Sequence, residues 1–214
     1  MGAGLDIGKD APARKAGQAV SGCAERLGCK GLRALIRLFA ALAVPPEVGE
    51  MLQRRQQGLP GARWRPLESL HITLRFFGGV SETTADDLDA ELGQAAAAPL
   101  SVALEGVGAF GGAGAVRAVW AGVAADPALE HLARRCERAA RRAGLKPDRR
   151  LWRPHVTLAY LNGGEPARVA AWIQAHGLLR SPPFACRSFG LYSSWLGDQA
   201  SSYRLERSYR LDGG

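Results

Sequence analysis

The chain has 214 residues, 47% of them hydrophobic, and a formal net charge of +8. That length and apolar content can bury the core of one domain, which excludes a fibrous or wholly disordered chain, and no apolar run approaches the ~20 residues of a membrane-spanning helix. The positive balance favours polyanionic partners electrostatically and carries no information about sequence-specific recognition.

Residues 1–34 are rich in glycine, alanine and basic side chains and lack an apolar core of signal-peptide length. They are expected to form a disordered extension, with at most a weak amphipathic helix over Ala16 to Leu27. The domain is expected over 35–214, in two lobes of roughly 35–112 and 113–214 that share a closing hairpin. Ala34 to Val44 is an apolar run, Pro45-Pro46-Glu47 reads as a helix start, and Glu47 to Gln57 carries one short helix. A strand holding His71 follows. Ser81-Glu82 opens a helix to about Ala97, with a cap and an early acid, and Leu100 to Val107 reads as a strand. The order then repeats: strand Val116 to Val123, helix Asp126 to Ala143 with Asp126 as cap and Pro127 at its first position, a strand holding His155, helix Glu165 to Ala175, and strand Phe184 to Tyr192. Two near-equal blocks of strand, helix, histidine strand, helix and strand imply an internal duplication in an α+β fold. The expected architecture is two pseudo-symmetric lobes of antiparallel sheet with outer helices around a central groove.

The duplicated element is a tetrapeptide, His71-Ile72-Thr73-Leu74 and again His155-Val156-Thr157-Leu158, 84 residues later. In a strand, successive side chains point to opposite faces, so each copy buries an apolar pair and offers an imidazole and a hydroxyl on its open side. Two imidazoles and two hydroxyls around one anion suit phosphoryl chemistry without a metal. The bland alternative makes each histidine a structural strand residue, but two copies at matching points of a repeat argue against it. By alternation Arg75 shares the face of His71 and Thr73, and Arg153 shares that of His155, so both are candidate phosphate contacts; Arg37 and Arg117 are further candidates. Phe76, Phe77 and Trp152 could stack a base, Trp152 being the best placed, although core packing competes for all three. The basic run from Arg134 to Arg150 reads equally as a solvated helix face or an RNA-tracking surface.

With these residues the chain resembles the two-histidine (2H) phosphoesterases, and within them the RNA 2′,3′-cyclic phosphodiesterases, also called 2′-5′ RNA ligase-like proteins. The resemblance covers about residues 35 to 212: Ile36-Arg37-Leu38-Phe39-Ala40-Ala41 is similar to the family's first strand, Leu70 to Gly78 to its first motif and Arg153 to Ala159 to its second. Leu191-Tyr192-Ser193-Ser194 and Tyr203-Arg204-Leu205 resemble the final hairpin. One departure is Tyr160, where many members have arginine; alternation places it on the apolar face with Val156 and Leu158.

The resemblance implies hydrolysis of a 2′,3′-cyclic phosphate at an RNA 3′ end to a 2′-phosphate, with reversal to 2′-5′ ligation as a side activity. It implies His71 as proton donor and His155 as proton acceptor. Thr73 and Thr157 would bind the non-bridging oxygens, and Arg75, Arg153, Phe76 and Trp152 are the expected further substrate contacts. The expected partner is RNA with a 3′-terminal cyclic phosphate, tRNA fragments included, acted on by a monomer without metal or cofactor. Cys23, Cys29, Cys136 and Cys186 have no metal-site spacing and read as free thiols of a reducing compartment, the cytoplasm. The alternative is a 2H enzyme acting on a small cyclic nucleotide or a 2′-5′ oligonucleotide. Intact histidines and threonines argue against a non-catalytic RNA-binding module.

Overall fold

The computed structural model describes residues 35–95, 97–112, 115–196 and 201–212; the expected extension over 1–34, with Cys23 and Cys29, lies outside the described residues. The elements in chain order are β1 (Ile36–Ala43), α1 (Pro46–Gln53), β2 (Ala62–Trp64), β3 (His71–Val80), α2 (Glu82–Gly93), β4 (Leu100–Val102), β5 (Leu104–Gly112), β6 (Ala115–Val123), α3 (Pro127–Arg142), β7 (His155–Gly164), α4 (Pro166–His176), β8 (Phe184–Cys186), β9 (Ser188–Leu196) and β10 (Ser201–Arg210). Proline occupies the first turn of α1, α3 and α4, where its missing N–H has no helical partner to lose. Ser81 caps α2 by accepting from the Thr84 N–H at 3.2 Å, and Asp126 caps α3 by accepting from Leu129 at 2.8 Å.

The main sheet is antiparallel in the order β10-β9-β1-β3-β7-β6-β5, with β2 added along β7; β4 and β8 form a separate two-stranded ribbon. The two motif strands lie side by side at the middle. The repeat is real, but its halves exchange their last strands: β5 of the first block pairs with β6 of the second, and β9 of the second pairs with β1 of the first. The strands expected over 100–107 and 184–192 each divide in two, because their first residues leave the main sheet to pair with each other. One face of the sheet carries the core, joining Ile72, Leu74, Val156 and Leu158 to Leu88 and Leu92 of α2, Leu129 and Leu132 of α3 and Val169 of α4. Every one of these is nearly or wholly buried. The opposite face of β3 and β7 is left for the motif side chains. Among the described residues no helix is long and apolar enough to cross a membrane.

Candidate active site

β3 and β7 pair antiparallel at Ile72 and Val156. One step either way along that register sets Thr73 opposite His155 and His71 opposite Thr157. The four motif side chains therefore form one face, in which each histidine faces the other motif's threonine as well as sharing a strand with its own. Beyond this point the strands part, and Thr73 and His155 line a cavity of about 690 Å³ with Phe76, Phe110, Trp152 and Arg153.

The two imidazoles are held alike. His71 Nδ1 lies 2.8 Å from the carbonyl oxygen of Ser69, and His155 Nδ1 lies 2.7 Å from that of Arg153. A carbonyl can only accept, so Nδ1 carries the proton in both rings and Nε2 is left to exchange a proton with a ligand. Burial pushes the His71 pKa down to about 4; the Ser69 carbonyl opposes this, while the nearby charges of Arg65 and His155 add to it. His155 is lowered as well, chiefly by burial and against the pull of the Arg153 carbonyl. Both rings are thus neutral bases at pH 7 in the free protein.

Aromatic rings wall each side. Around His71 stand Phe39, at 4.9 Å between centroids, and Tyr203, edge-on at 5.1 Å; Tyr192 stacks on Phe39 at 5.3 Å and Phe76 tilts against it at 5.6 Å. Around His155 stand Phe110, edge-on at 4.8 Å, and Trp120 at 6.1 Å. The Trp120 ring lies so close over Gly108 that a Cβ there would sit 2.3 Å from it. Its indole N–H is buried with no acceptor among the described residues.

Simple alternation fails just past each motif. In β3 the register against β1 slips so that Leu74 has no partner, and in β7 the register against β6 slips at the equivalent Leu158. A bulge at each leucine reverses the facing of the residues after it. Arg75, expected on the histidine face, instead pairs with core-facing Ala40 and turns toward α3. There it donates to Glu137, to the Phe76 carbonyl and to the Lys146 carbonyl at 2.9 Å, with Asp148 at 3.4 Å. Tyr160, expected on the apolar face, is exposed for the same reason. Phe76, expected mainly in the core, stands half-exposed on the groove face, while Phe77 is buried. Trp152 packs against the core edge and donates its indole N–H to the Thr73 carbonyl at 3.1 Å, tying the loop before β7 to β3. Arg153 is exposed at the cavity rim, and Arg37 and Arg117 are exposed on their strands. In the basic run of α3, Arg134 pairs with Glu130 and Arg142 with Glu91, while Arg135 donates to the Gln94 carbonyl. Among the described residues no three His, Cys, Asp or Glu side chains gather as metal ligands.

Arg65 has no counterpart among the residues singled out by the sequence. It follows β2 and its N–H donates to the Leu158 carbonyl at 2.8 Å. It is 4% exposed, with its guanidinium carbon 5.1 Å from the centre of the Tyr203 ring and 5.7 Å from that of Tyr160. No local pattern marks it, because β2 is three residues long.

A family model for the 2′-5′ RNA ligase superfamily matches residues 44–196. The chain is 28% identical over 172 residues to an RNA 2′,3′-cyclic phosphodiesterase of Archaeoglobus fulgidus, covering 79% of this chain and 97% of that protein. It is 30% identical over 162 residues to the Escherichia coli protein of the same name, covering 74% and 86%. A shorter match, 35% over 133 residues, covers 59% of this chain and 42% of the Geobacillus stearothermophilus protein so named. Among solved structures, Escherichia coli LigT complexed with 3′-AMP superposes with a TM-score of 0.68 at 26% identity, covering 83% of this chain and 98% of that one. The duplicated histidine strands, the sheet they centre and these relatives agree: the chain belongs to the 2′-5′ RNA ligase superfamily.

Proposed function

We propose that the protein is an RNA 2′,3′-cyclic phosphodiesterase that opens the terminal cyclic phosphate to a 2′-phosphate by two-histidine acid–base catalysis. The observation that carries this reading is the matched pair of imidazoles on adjacent antiparallel strands, each with Nδ1 committed to a backbone carbonyl and Nε2 left to a ligand. The names of the relatives supply the substrate class.

His155 Nε2 takes a proton from water as its oxygen attacks phosphorus. The bond from phosphorus to the ribose 3′ oxygen breaks, and His71 Nε2 gives that oxygen its proton, leaving a 2′-phosphate and a free 3′-hydroxyl. Because His71 is neutral in the free protein, it becomes the acid only when the bound phosphate's negative charge favours its protonated form. Thr73 and Thr157 donate to the non-bridging oxygens, where charge grows in the transition state. A 5′-hydroxyl in the water's place would leave a 2′-5′ linkage, which makes ligation a side activity of the same groups.

The test is an assay in the presence of chelator, comparing an oligonucleotide ended by a cyclic phosphate with small cyclic nucleotides. The oligonucleotide is expected to be preferred, and His71→Ala and His155→Ala are each expected to cut turnover by about 10² or more. The pH dependence of kcat/KM should be a bell whose limbs both fall below the ordinary imidazole value of about 6.5, since both free-protein pKa values are lowered, while the bell for kcat moves to higher pH. Near-wild-type turnover in either variant, or a flat profile with chemistry rate-limiting, would overturn the mechanism. Preference for a small cyclic nucleotide would overturn the RNA assignment alone.

A further inference from the structure

We propose that Arg65 is a substrate-binding residue of this site, holding the scissile phosphate beside His71, with Tyr160 and Tyr203 as the rings that position its guanidinium. The proposal deepens the phosphodiesterase reading and rests on it for the identity of the anion.

Three observations converge. The first is burial: the described residues bury only three polar or charged side chains this deeply, Arg65, Ser69 and Ser193, and Arg65 is the one that carries a permanent charge. Taking a guanidinium out of water is costly and is usual where it meets an anion in a preformed geometry. The second is placement. Arg65 continues β2 along β7, one residue beyond the Trp64 to Ala159 pair, and its backbone is pinned at both ends, the N–H on the Leu158 carbonyl and the carbonyl by Gln56 Nε2 at 2.9 Å. Its side chain therefore enters from the strand that carries His155 and reaches toward the one that carries His71. The third is the ring pair. Guanidinium faces on Tyr160 and Tyr203 gain cation–π attraction and leave the N–H edge free to turn into the groove. Tyr203 in turn stands edge-on to His71, so one ring sets both the cation and the imidazole. Tyr160 faces this way only because of the bulge at Leu158. It presents a platform, where many relatives present the charge itself.

A cation here has a second consequence. The charged groups facing His71 are Arg65 and His155, and both oppose its protonation. A phosphate bridging Arg65 and His71 reverses that opposition, so anion binding and loading of the acid become one event.

The test compares wild type, Arg65→Met and Arg65→Lys, each checked for folding by circular dichroism and thermal melting. The assay measures kcat and KM across pH on the oligonucleotide and inhibition by inorganic phosphate. Arg65→Met is expected to lose roughly 10²-fold or more in kcat/KM, to bind inorganic phosphate at least tenfold more weakly, and to show the acid limb of kcat/KM moved to higher pH. Arg65→Lys keeps the charge and should leave that limb in place while recovering part of the rate. A folded Arg65→Met with kcat/KM and phosphate inhibition within twofold of wild type would overturn the proposal. If Arg65→Met does not fold, the wild-type protein decides: with ¹⁵N-labelled arginine, the Arg65 Nε–H resonance, assigned by its loss in Arg65→Lys, should move as inorganic phosphate is added, and a stationary resonance would overturn it. Should wild type bind phosphate through Arg65 yet leave the oligonucleotide intact, the phosphodiesterase reading fails while the anion site stands.

Discussion

Replacing Arg75 with methionine separates a structural arginine from a phosphate contact. The side chain is 10% exposed and lies between Glu137 and Asp148, which are 28% and 24% exposed, while it also donates to the Phe76 and Lys146 carbonyls. Methionine keeps the apolar stem and removes every donor. Hydrogen bonds to charged groups are each worth about 1.5–3 kcal/mol, and breaking a buried pair by removing one partner costs about 3–5 kcal/mol. Both carboxylates here reach water, and Asp148 keeps its 2.7 Å pair with Arg150, so the loss is smaller. About 2–3 kcal/mol is expected, a fall of about 1 M in the urea midpoint or of roughly 5–10 °C in Tm for a domain of this size. Because the guanidinium points to α3, kcat on the cyclic-phosphate oligonucleotide, measured well below Tm, should stay within about threefold of wild type. An unchanged urea midpoint together with a tenfold or greater loss of kcat would refute this reasoning and return Arg75 to the groove.

Stability should depend on His71 below neutral pH. Its pKa is about 4 when folded against 6.5 for the ordinary imidazole, so the unfolded chain binds the extra proton first, and stability present above pH 6.5 is lost as pH falls toward 4. The full loss is about 3 kcal/mol at about 1.36 kcal/mol per pH unit, His155 adding to it in the same direction. Urea midpoints at pH 7 and 4.5 should therefore drop less in His71→Asn than in wild type, and equal drops would contradict the account. At Gly108, alanine would push its Cβ into the Trp120 ring beside His155, so Gly108→Ala should lower kcat roughly tenfold, whereas Gly93→Ala, which meets open space at the end of α2, should leave kcat unchanged. Matching kinetics in the two variants would detach Trp120 from the site.

The features legible in the sequence depended on short-range rules. The caps Ser81 and Asp126, the first-turn prolines and the apolar pairs Ile72/Leu74 and Val156/Leu158 act within a few residues of themselves, so helix starts and the inward face of each motif come from local chemistry. The repeated tetrapeptide carried the candidate chemistry because the same hydroxyl and imidazole recur on the same side of two strands. The sequence by itself also determined that these two strands are equivalent, which is why they meet at the sheet's centre.

Tertiary structure decided the rest. Whether a strand bulges depends on the strand beside it: β1 and β6 slip against their partners at Leu74 and Leu158, and that slip, invisible in alternation, sent Arg75 to the core side and brought Phe76 and Tyr160 to the groove. The exchange of β5 and β9 between the halves is likewise a matter of partners, since a strand's pattern records that it is buried and not which strand buries it. Arg65 shows the limit most clearly. Its neighbours in the chain mark nothing, and its place beside His71 arises only when β2 lies along β7 and β10 brings Tyr203 across from the far end of the chain.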